Sequence, residues 1–171
     1  MLLNLDTIPS HYKNYVKLIE EPDLLQAMRI SGHRMQELVH SIPVAKTDFA
    51  YAPGKWTVCE LLCHVVDAER IFAYRALRFA RNDKTELPGF DENLYAQHTN
   101  AAGRSLQKIA DEMAHLRTST IDLFESFSPE MLSRKGIASG KESSVTAIGF
   151  VIAGHETHHR RILQERYLTA K

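Results

Sequence analysis

The sequence Gly154-His155-Glu156-Thr157-His158-His159-Arg160-Arg161-Ile162 lies within a long helical pattern near the C-terminus. It contains the letters HExxH, in which His155 and His159 are four positions apart. Residues i and i+4 lie above one another on the same face of a helix. Two imidazoles placed in this way can bind one metal ion.

Both histidines lie on the apolar side of this predicted helix. With His155 set at 0° and about 100° allowed per residue, His159 falls at about 40°. Three isoleucines of the same helix fall within about 60° of His155: Ile148, Ile152 and Ile162. A buried imidazole needs a hydrogen-bond partner or a metal. Two of them stacked on an apolar stripe therefore predict a metal site.

The composition predicts one globular domain covering residues 1–171. Hydrophobic residues make up 44% of the chain and charged residues 25%, which is typical of a folded domain with a real core. Lysine plus arginine equals aspartate plus glutamate at 21 each, so no basic excess indicates a nucleic-acid partner. No apolar run is long enough for a membrane helix, and the first residues lack a signal-peptide pattern. We expect a cytoplasmic protein with no membrane partner.

Four long amphipathic segments predict an all-α fold, a four-helix bundle. The predicted helices cover residues 22–41, 57–82, 105–127 and 143–169. Thr57 and Glu60 have the spacing of a capping box at the start of the second helix. The connection 83–104 is unusually long, with Asp91 placed to cap one short helical turn, and it permits the second and third helices to run parallel. The segment 128–143 is expected to be a loop, and no useful strand alternation is present.

The second helix offers the best third ligand, His64. This histidine lies on the inward face, one turn from Leu61 and Ala68. At 1.5 Å per residue it is roughly 10 Å from the start of its helix, and the His155/His159 pair is roughly 16 Å from the end of the fourth helix. The two levels agree best if these helices are antiparallel. The remaining histidines have no partner at ligand spacing and are interpreted as surface residues: His11, His33, His40, His98 and His115.

Two carboxylates lie beside the predicted ligands. Asp67 follows His64 by three residues. It is either a fourth ligand, an acceptor for an imidazole N–H, or a surface carboxylate paired with Arg70. Glu156 lies on the flank of the fourth helix, where it either orients a ligand or pairs with Arg160.

The HExxH letters also occur in zinc peptidases, where the glutamate is the general base. The extended pattern HExxHxxGxxH fails here, because Ile162 stands at the glycine position and Glu165 at the last histidine position. No predicted strand offers an edge for an extended peptide. The sequence therefore disfavours a peptidase. Three imidazoles leave a coordination position open to water or substrate, as catalytic sites do, and they suit Zn, Ni, Fe or Cu.

The two cysteines, Cys59 and Cys63, are four positions apart in the second predicted helix. Adjacent helical turns form a poor structural disulfide, so we interpret both as reduced thiols that pack as small residues. A redox or metal-binding role is the alternative.

Two motifs together resemble those of the DinB/YfiT-like superfamily. The first is Trp56-Thr57-Val58-Cys59-Glu60-Leu61-Leu62-Cys63-His64-Val65-Val66-Asp67-Ala68-Glu69, and the second, about ninety residues later, is Gly154-His155-Glu156-Thr157-His158-His159-Arg160. The resemblance implies an up-down-down-up four-helix bundle, frequent homodimers, and a divalent metal (Zn, Ni or Fe) on His64, His155 and His159. Relatives include transferases and isomerases that depend on low-molecular-weight thiols such as bacillithiol and mycothiol, and metal-dependent hydrolases.

We therefore expect a divalent-metal-dependent enzyme that transfers a low-molecular-weight thiol to an electrophilic small molecule. Arg75, inward on the second helix, and Arg166, on the histidine stripe, are candidates for holding an anionic thiol cosubstrate. The alternative for each arginine is a surface side chain that packs along its aliphatic stem. Two other functions stay open, a metal-dependent hydrolase that uses a metal-bound water and a non-enzymatic dimeric bundle that binds metal or ligand.

Overall fold

The computed structural model describes residues 2, 4–5 and 8–169. The ends of the predicted domain, residues 1, 3, 6, 7, 170 and 171, lie outside the described residues. The helices and strands are α1 (Lys13–Val16), α2 (Leu24–Ser41), α3 (Val58–Ala80), α4 (Glu92–His98), α5 (Leu106–Glu125), α6 (Pro129–Ser133), β1 (Lys135–Ala138), β2 (Lys141–Ser144) and α7 (Val145–Ile162). Short 3₁₀ turns cover Ser10–Tyr12, Val44–Lys46 and Ala101–Gly103, and a π-helical segment, Leu163–Leu168, continues α7.

Side-chain caps fix where the helices begin, as the sequence predicts. Thr57 and Glu60 form the expected capping box, since the Thr57 hydroxyl accepts from the Glu60 amide at 3.1 Å and the Glu60 carboxylate accepts from the Thr57 amide at 2.7 Å. The carboxylate of Asp91 accepts from two amides at the start of α4. Ser144, one of the two serines considered, caps α7 through the Ala147 amide. The start of α3, the short helix capped by Asp91 and the start of α7 are therefore confirmed.

The segment predicted as a loop contains a helix and a hairpin. Pro129–Ser133 forms α6, and β1 pairs with β2 in antiparallel register from Lys135–Ser144 to Ala138–Lys141. The expectation of a fold without strands is therefore wrong at this point. Each strand has only four residues, and alternation over so few residues carries little signal. Ser139 and Gly140, both at positive φ, supply the tight turn.

The four long helices, α2, α3, α5 and α7, pack as a bundle whose interior divides into two apolar clusters. One cluster contains Met28, Phe72 and Phe124, and the other contains Met35, Leu62 and Met113. The buried polar and charged side chains of these helices include Ser31, Glu69, Arg117, His155, Glu156 and His159. Along each helix these polar positions fall between the two apolar clusters, so a polar layer crosses the bundle.

Contacts along α3 and α7 progress in opposite directions. Near the start of α3, the backbone carbonyl of Trp56 accepts from the Tyr167 hydroxyl at 2.7 Å. Further along α3, Phe72 packs against the His155 ring. This order brings His64 opposite the two histidines of α7. Within the described residues, no helix is both long and apolar enough to cross a bilayer.

Candidate metal centre

Three imidazoles converge between α3 and α7. The Nε2 atoms of His64 and His155 are 3.1 Å apart, and those of His159 and His155 are also 3.1 Å apart. One ring nitrogen from each histidine lies within 4.8 Å of the others, and no other cluster of this kind occurs among the residues that the structure describes. His64, which the sequence indicated as the third ligand, thus lies next to His155 and His159.

The nitrogen separations fit one metal ion. Zinc binds imidazole nitrogen at about 2.0–2.1 Å. Ligands at that distance are about 3.3 Å apart in a tetrahedral arrangement and about 2.9 Å apart in an octahedral one, which brackets the observed 3.1 Å. The Nδ1 atom of His159 is buried without a hydrogen-bond partner in the described part of the chain. The metal fit therefore rests on the separations of the Nε2 atoms, and not on this Nδ1 atom.

Burial keeps the three rings neutral at physiological pH. It lowers the pKa of His64 to about 4 and, together with the neighbouring His64 and His158, lowers the pKa of His159 to about 3. Burial and the adjacent imidazoles lower the pKa of His155 well below its ordinary value. A neutral imidazole presents a lone pair, which metal coordination requires. The three imidazoles therefore carry no positive charge that would repel a cation, and each has a lone pair available to bind one.

Aromatic rings enclose the cluster. The ring centroid of Trp56 is 4.8 Å from that of His64, and Phe72 is 5.9 Å from His155. Tyr15 of α1 packs edge-on at 5.4 Å from His155. This shell limits the access of water to the rings and lowers the local dielectric, which strengthens the interaction of ligands with a cation.

One side of the site opens into a pocket of about 210 Å³. His159 and Trp56 form part of its wall, and its lining includes the cations Lys55 and Arg166. The guanidinium of Arg166 donates to the Tyr51 hydroxyl at 3.2 Å and remains exposed. The structure therefore brings Arg166, predicted from sequence, to the same pocket as a candidate metal ligand.

Arg75 has a different environment. Its side chain is buried and donates to the carbonyl of Pro88 at 3.0 Å and to the hydroxyl of Ser139 at 3.1 Å. It thereby connects α3 to the long connection and to the hairpin turn, and it is not part of the lining of the pocket beside His159.

The two flanking carboxylates are both engaged by arginines. Asp67 is 3.5 Å from Arg70, which corresponds to the surface-pair alternative, and it is not part of the histidine cluster. Glu156 is buried and accepts from Arg117 of α5 at 2.8 Å, rather than pairing with Arg160. Burial raises the pKa of Glu156 against the opposing effect of Arg117. The carboxylate that would be the base in a peptidase is thus held in another ion pair.

Sequence reasoning missed the partner of Glu156. Arg117 also binds Glu69 of α3, and its pKa is raised because the two carboxylates outweigh the cost of burial. The position of Arg117 could have indicated its burial, because it lies on the apolar stripe of α5, four residues after Met113 and seven before Phe124.

The remaining predicted residues lie outside the centre. Cys59 and Cys63 are free and buried. The thiol of Cys59 donates to the Ala101 carbonyl at 3.0 Å, and burial raises its pKa to about 12, so it packs as an unreactive thiol. Of the five histidines interpreted as surface residues, four are exposed and His11 is half-buried.

Comparisons with known proteins agree with this geometry. The family model of the DinB superfamily matches residues 27–163. No curated protein sequence matches the chain. YfiT from Bacillus subtilis, described as a probable metal-dependent hydrolase with an unusual four-helix bundle topology, aligns with a TM-score of 0.74 at 14% identity, over 83% of this chain and 82% of that one.

A mycothiol-dependent maleylpyruvate isomerase aligns with a TM-score of 0.64 at 12% identity. The alignment covers 92% of this chain but 62% of that longer protein. At such identities the likeness of both structures is one of fold. The family match covers most of the chain and includes all three converging histidines. This chain belongs to the DinB superfamily.

Proposed function

We propose that the protein is a divalent-metal-dependent enzyme that transfers a low-molecular-weight thiol to an electrophilic small molecule. One observation carries the proposal. Three buried, neutral imidazoles, His64, His155 and His159, converge at the wall of a pocket that also presents two cations.

The three imidazoles are proposed to hold the ion through Nε2. When bound, a divalent ion with an open coordination position lowers the pKa of a thiol and supplies a nucleophile at neutral pH. His159 lines the pocket, so a molecule bound in the pocket would reach an ion held by the histidines. Trp56 packs on the ring of His64 and lines the same pocket.

The cations of the pocket select the thiol. Lys55 and Arg166 lie in the pocket lining, which includes no carboxylate among its described residues. An anionic group on the thiol cosubstrate is therefore attracted to this end while its sulfur reaches the histidines. We propose Arg166 for this role. Arg75 stays a sequence prediction, because its guanidinium contacts protein groups elsewhere.

The transfer is a substitution or an addition at carbon. The thiol releases its proton to solvent, and its sulfur forms a bond to the electrophilic carbon. In a substitution the leaving group departs with the bonding electron pair. In an addition to an activated double bond a proton from solvent completes the product. No redox partner is required.

A metal-dependent hydrolase is the second candidate. The fold likeness to YfiT, which is described as a probable metal-dependent hydrolase, supports it. The same histidines and pocket then serve a water nucleophile, and no thiol is needed. Asp67 and Glu156 are not proposed as reacting groups in either case, because Arg70 and Arg117 bind them.

We also propose the up-down-down-up arrangement that the resemblance implies. Contacts support it. Residue numbers rise together along α3 and α5, from Cys63–Arg104 to Arg70–Glu112. They run in opposite directions along α2 and α5, where Met28 contacts Arg117 and Gln36 contacts Ala110. The single domain, the homodimer and the cytoplasmic location stay predictions.

The test compares thiols and variants in one assay. Zinc-, nickel- or iron-loaded protein is mixed with 1-chloro-2,4-dinitrobenzene and, in turn, with cysteine, glutathione, bacillithiol or mycothiol. We expect metal-dependent conjugation with at least one thiol, and its loss in His155→Ala. His98→Ala is the control, because His98 is exposed on α4 and is not part of the pocket lining.

The outcomes separate the candidates. Metal-dependent hydrolysis of an activated ester without thiol, with no conjugation, favours the hydrolase. A protein that binds metal and catalyses neither reaction contradicts both and supports the non-enzymatic bundle.

A further inference from the structure

A single buried guanidinium joins the four long helices. Nε and Nη2 of Arg117, on α5, donate to the two carboxylate oxygens of Glu69 on α3, at 2.9 and 2.8 Å. Nη1 donates to Glu156 on α7 at 2.8 Å. The same nitrogen donates to the carbonyl of Met28 and the hydroxyl of Ser31 on α2, at 2.7 and 2.9 Å.

The two carboxylates belong to the helices that carry the histidines. Glu69 lies five residues after His64 on α3, and Glu156 directly follows His155 on α7. Arg117 therefore links the ligand-bearing helices to each other through one side chain. The Arg117–Glu69 pair is bidentate, and such a pair restricts orientation as well as distance.

The network is shielded from solvent. The side chains are 7% exposed for Arg117, 7% for Glu69 and 4% for Glu156. Water competes little for these hydrogen bonds, so a displaced partner would leave a buried charge unsatisfied. Sliding α3 against α7 therefore has a large cost at this level.

Apolar packing by itself supplies less precision. Hydrophobic burial is non-directional, and it tolerates small shifts between helices. A metal site requires its ligands within about 0.5 Å of the productive geometry. The hydrogen bonds of Arg117 lie between the two apolar clusters, close along the helix axes to the three histidines. A directional contact at this height has the most effect on how the histidines of α3 and α7 line up.

We propose that Arg117 is a positioning residue for the metal site. Through Glu69 and Glu156 it holds α3 and α7 in the register that brings His64 to His155 and His159. This inference rests on the proposed metal site. It assigns no contact between Arg117 and the ion.

The experiment measures metal binding in Arg117→Lys and Glu69→Gln. Zn²⁺ affinity is determined by competition with a chromophoric chelator, and the visible spectrum of the Co²⁺ form reports the coordination geometry. Loss of a group that orients metal ligands typically lowers affinity by about 10–100-fold. We expect a loss in that range for Arg117→Lys, a smaller loss for Glu69→Gln, and a shifted Co²⁺ spectrum in both.

Arg134→Lys is the matched control. Nη1 of Arg134 donates to the Ala80 carbonyl at the end of α3, at 2.6 Å, and Nη2 pairs with Glu130. This substitution also removes an arginine contact to α3, but at the end of the helix away from His64. We expect a lowered unfolding midpoint with Zn²⁺ affinity within about twofold of wild type and an unchanged Co²⁺ spectrum.

The possible failures are distinguishable. Wild-type protein that binds neither Zn²⁺ nor Co²⁺ removes the proposed metal site itself. If the wild type binds Zn²⁺ and both variants match it in affinity and in Co²⁺ spectrum, the positioning role is overturned. A loss of Zn²⁺ affinity in Arg134→Lys as large as that in Arg117→Lys also overturns it. If Arg117→Lys does not fold, Glu69→Gln decides, because it keeps Arg117, Glu156 and the contacts to α2.

Discussion

The Nε2 atoms of His64 and His155 lie 3.1 Å apart across 91 positions of sequence, and His159 approaches the same atom of His155 equally closely. An imidazole nitrogen offers one proton or one lone pair, so His155 cannot satisfy both neighbours through hydrogen bonds. A cation accepts three lone pairs at once. The arrangement of these nitrogens is therefore the one expected of three ligands around one ion.

The His64→Ala variant tests this ligand set. With one of three ligands removed, the remaining pair binds metal weakly, because catalytic zinc centres use three protein ligands. We expect about one metal per chain in wild type and less than about a tenth of that in the variant. Elemental analysis of the purified proteins gives the answer. His33→Ala is the control, since His33 is exposed and near Glu37. Full metal content in His64→Ala would remove this residue from the site.

The stability of the metal-free protein should depend on pH through the same histidines. The folded-state pKa is about 4 for His64 and about 3 for His159, whereas an unfolded histidine titrates near 6.5. Between those values the unfolded chain binds protons that the folded chain does not. The folded state therefore has its full stability above pH about 6.5. Its free energy of unfolding decreases as the pH falls toward about 4, the pKa of folded His64, and then toward about 3, that of folded His159.

Urea unfolding of the chelated protein at several pH values between 5 and 7.5 measures this loss. We expect the free energy of unfolding to fall by up to about 1.4 kcal/mol per pH unit for each of the buried histidines. His159→Leu should reduce the slope by that amount. A free energy that is constant over this range would show that the rings are not buried neutral.

Much of the fold and the inward direction of the three histidines followed from local chemistry that the sequence makes visible. The histidines share an apolar stripe with isoleucines, so their inward direction could be inferred from helix periodicity. Thr57 with Glu60 fixed the start of α3, and hence the level of His64. Capping and periodicity depend on residues within one or two turns, which is why these predictions were confirmed.

The misses depend on contacts between distant segments. Arg117 pairs with Glu69 and Glu156, which are 48 and 39 positions away. Its place on the apolar stripe of α5 indicates burial, but no local pattern identifies its partners. The hairpin of β1 and β2 is stabilised partly by Leu87, whose amide donates to the Ile137 carbonyl at 3.0 Å. A short stretch of sequence does not show which distant segments will contact it in the folded protein, so these features could not be predicted.

The Gly154→Ala substitution should separate packing from helix propensity. Alanine is about 1 kcal/mol better than glycine inside a helix, so propensity alone predicts stabilisation. A Cβ at this position, however, would lie 2.6 Å from the backbone oxygen of Tyr15 and 2.7 Å from its carbonyl carbon. Backbone of α1 must move away, together with the Tyr15 ring that covers His155. We expect a net destabilisation of about 1–3 kcal/mol, measured by urea unfolding.

Gly103→Ala is the control for that measurement. The three atoms nearest to its Cβ would all belong to the Asn100 side chain, the closest at an ordinary 3.5 Å. We expect a change within about 0.5 kcal/mol. A stabilised Gly154→Ala protein would mean that α1 does not pack against α7 as described.

Arg166→Gln tests the selection of an anionic thiol. Arg166 is exposed, so its attraction to the substrate is screened and worth about 1 kcal/mol or less. We expect the KM for an anionic thiol to rise by up to about fivefold with kcat nearly unchanged, because the contact lies away from the reacting sulfur. Arg161→Gln, another exposed arginine but one outside the pocket lining, is the control. Equal KM values for Arg166→Gln and wild type would exclude Arg166 from binding.

The one tryptophan of the chain provides a direct report of metal binding. Trp56 is the single tryptophan, and its ring centroid is 4.8 Å from that of His64. An open-shell ion such as Co²⁺ quenches indole emission at short range, whereas Zn²⁺, with a filled d shell, has no such route. We expect Co²⁺ to quench most of the Trp56 emission with a stoichiometry of about one ion per chain, and excess Zn²⁺ to restore it. His159→Ala should abolish the saturable quenching while leaving Trp56 and its contact with His64 in place. Quenching that rises without saturation in wild type would indicate collisional contact with free ions, and no ion held at the three histidines.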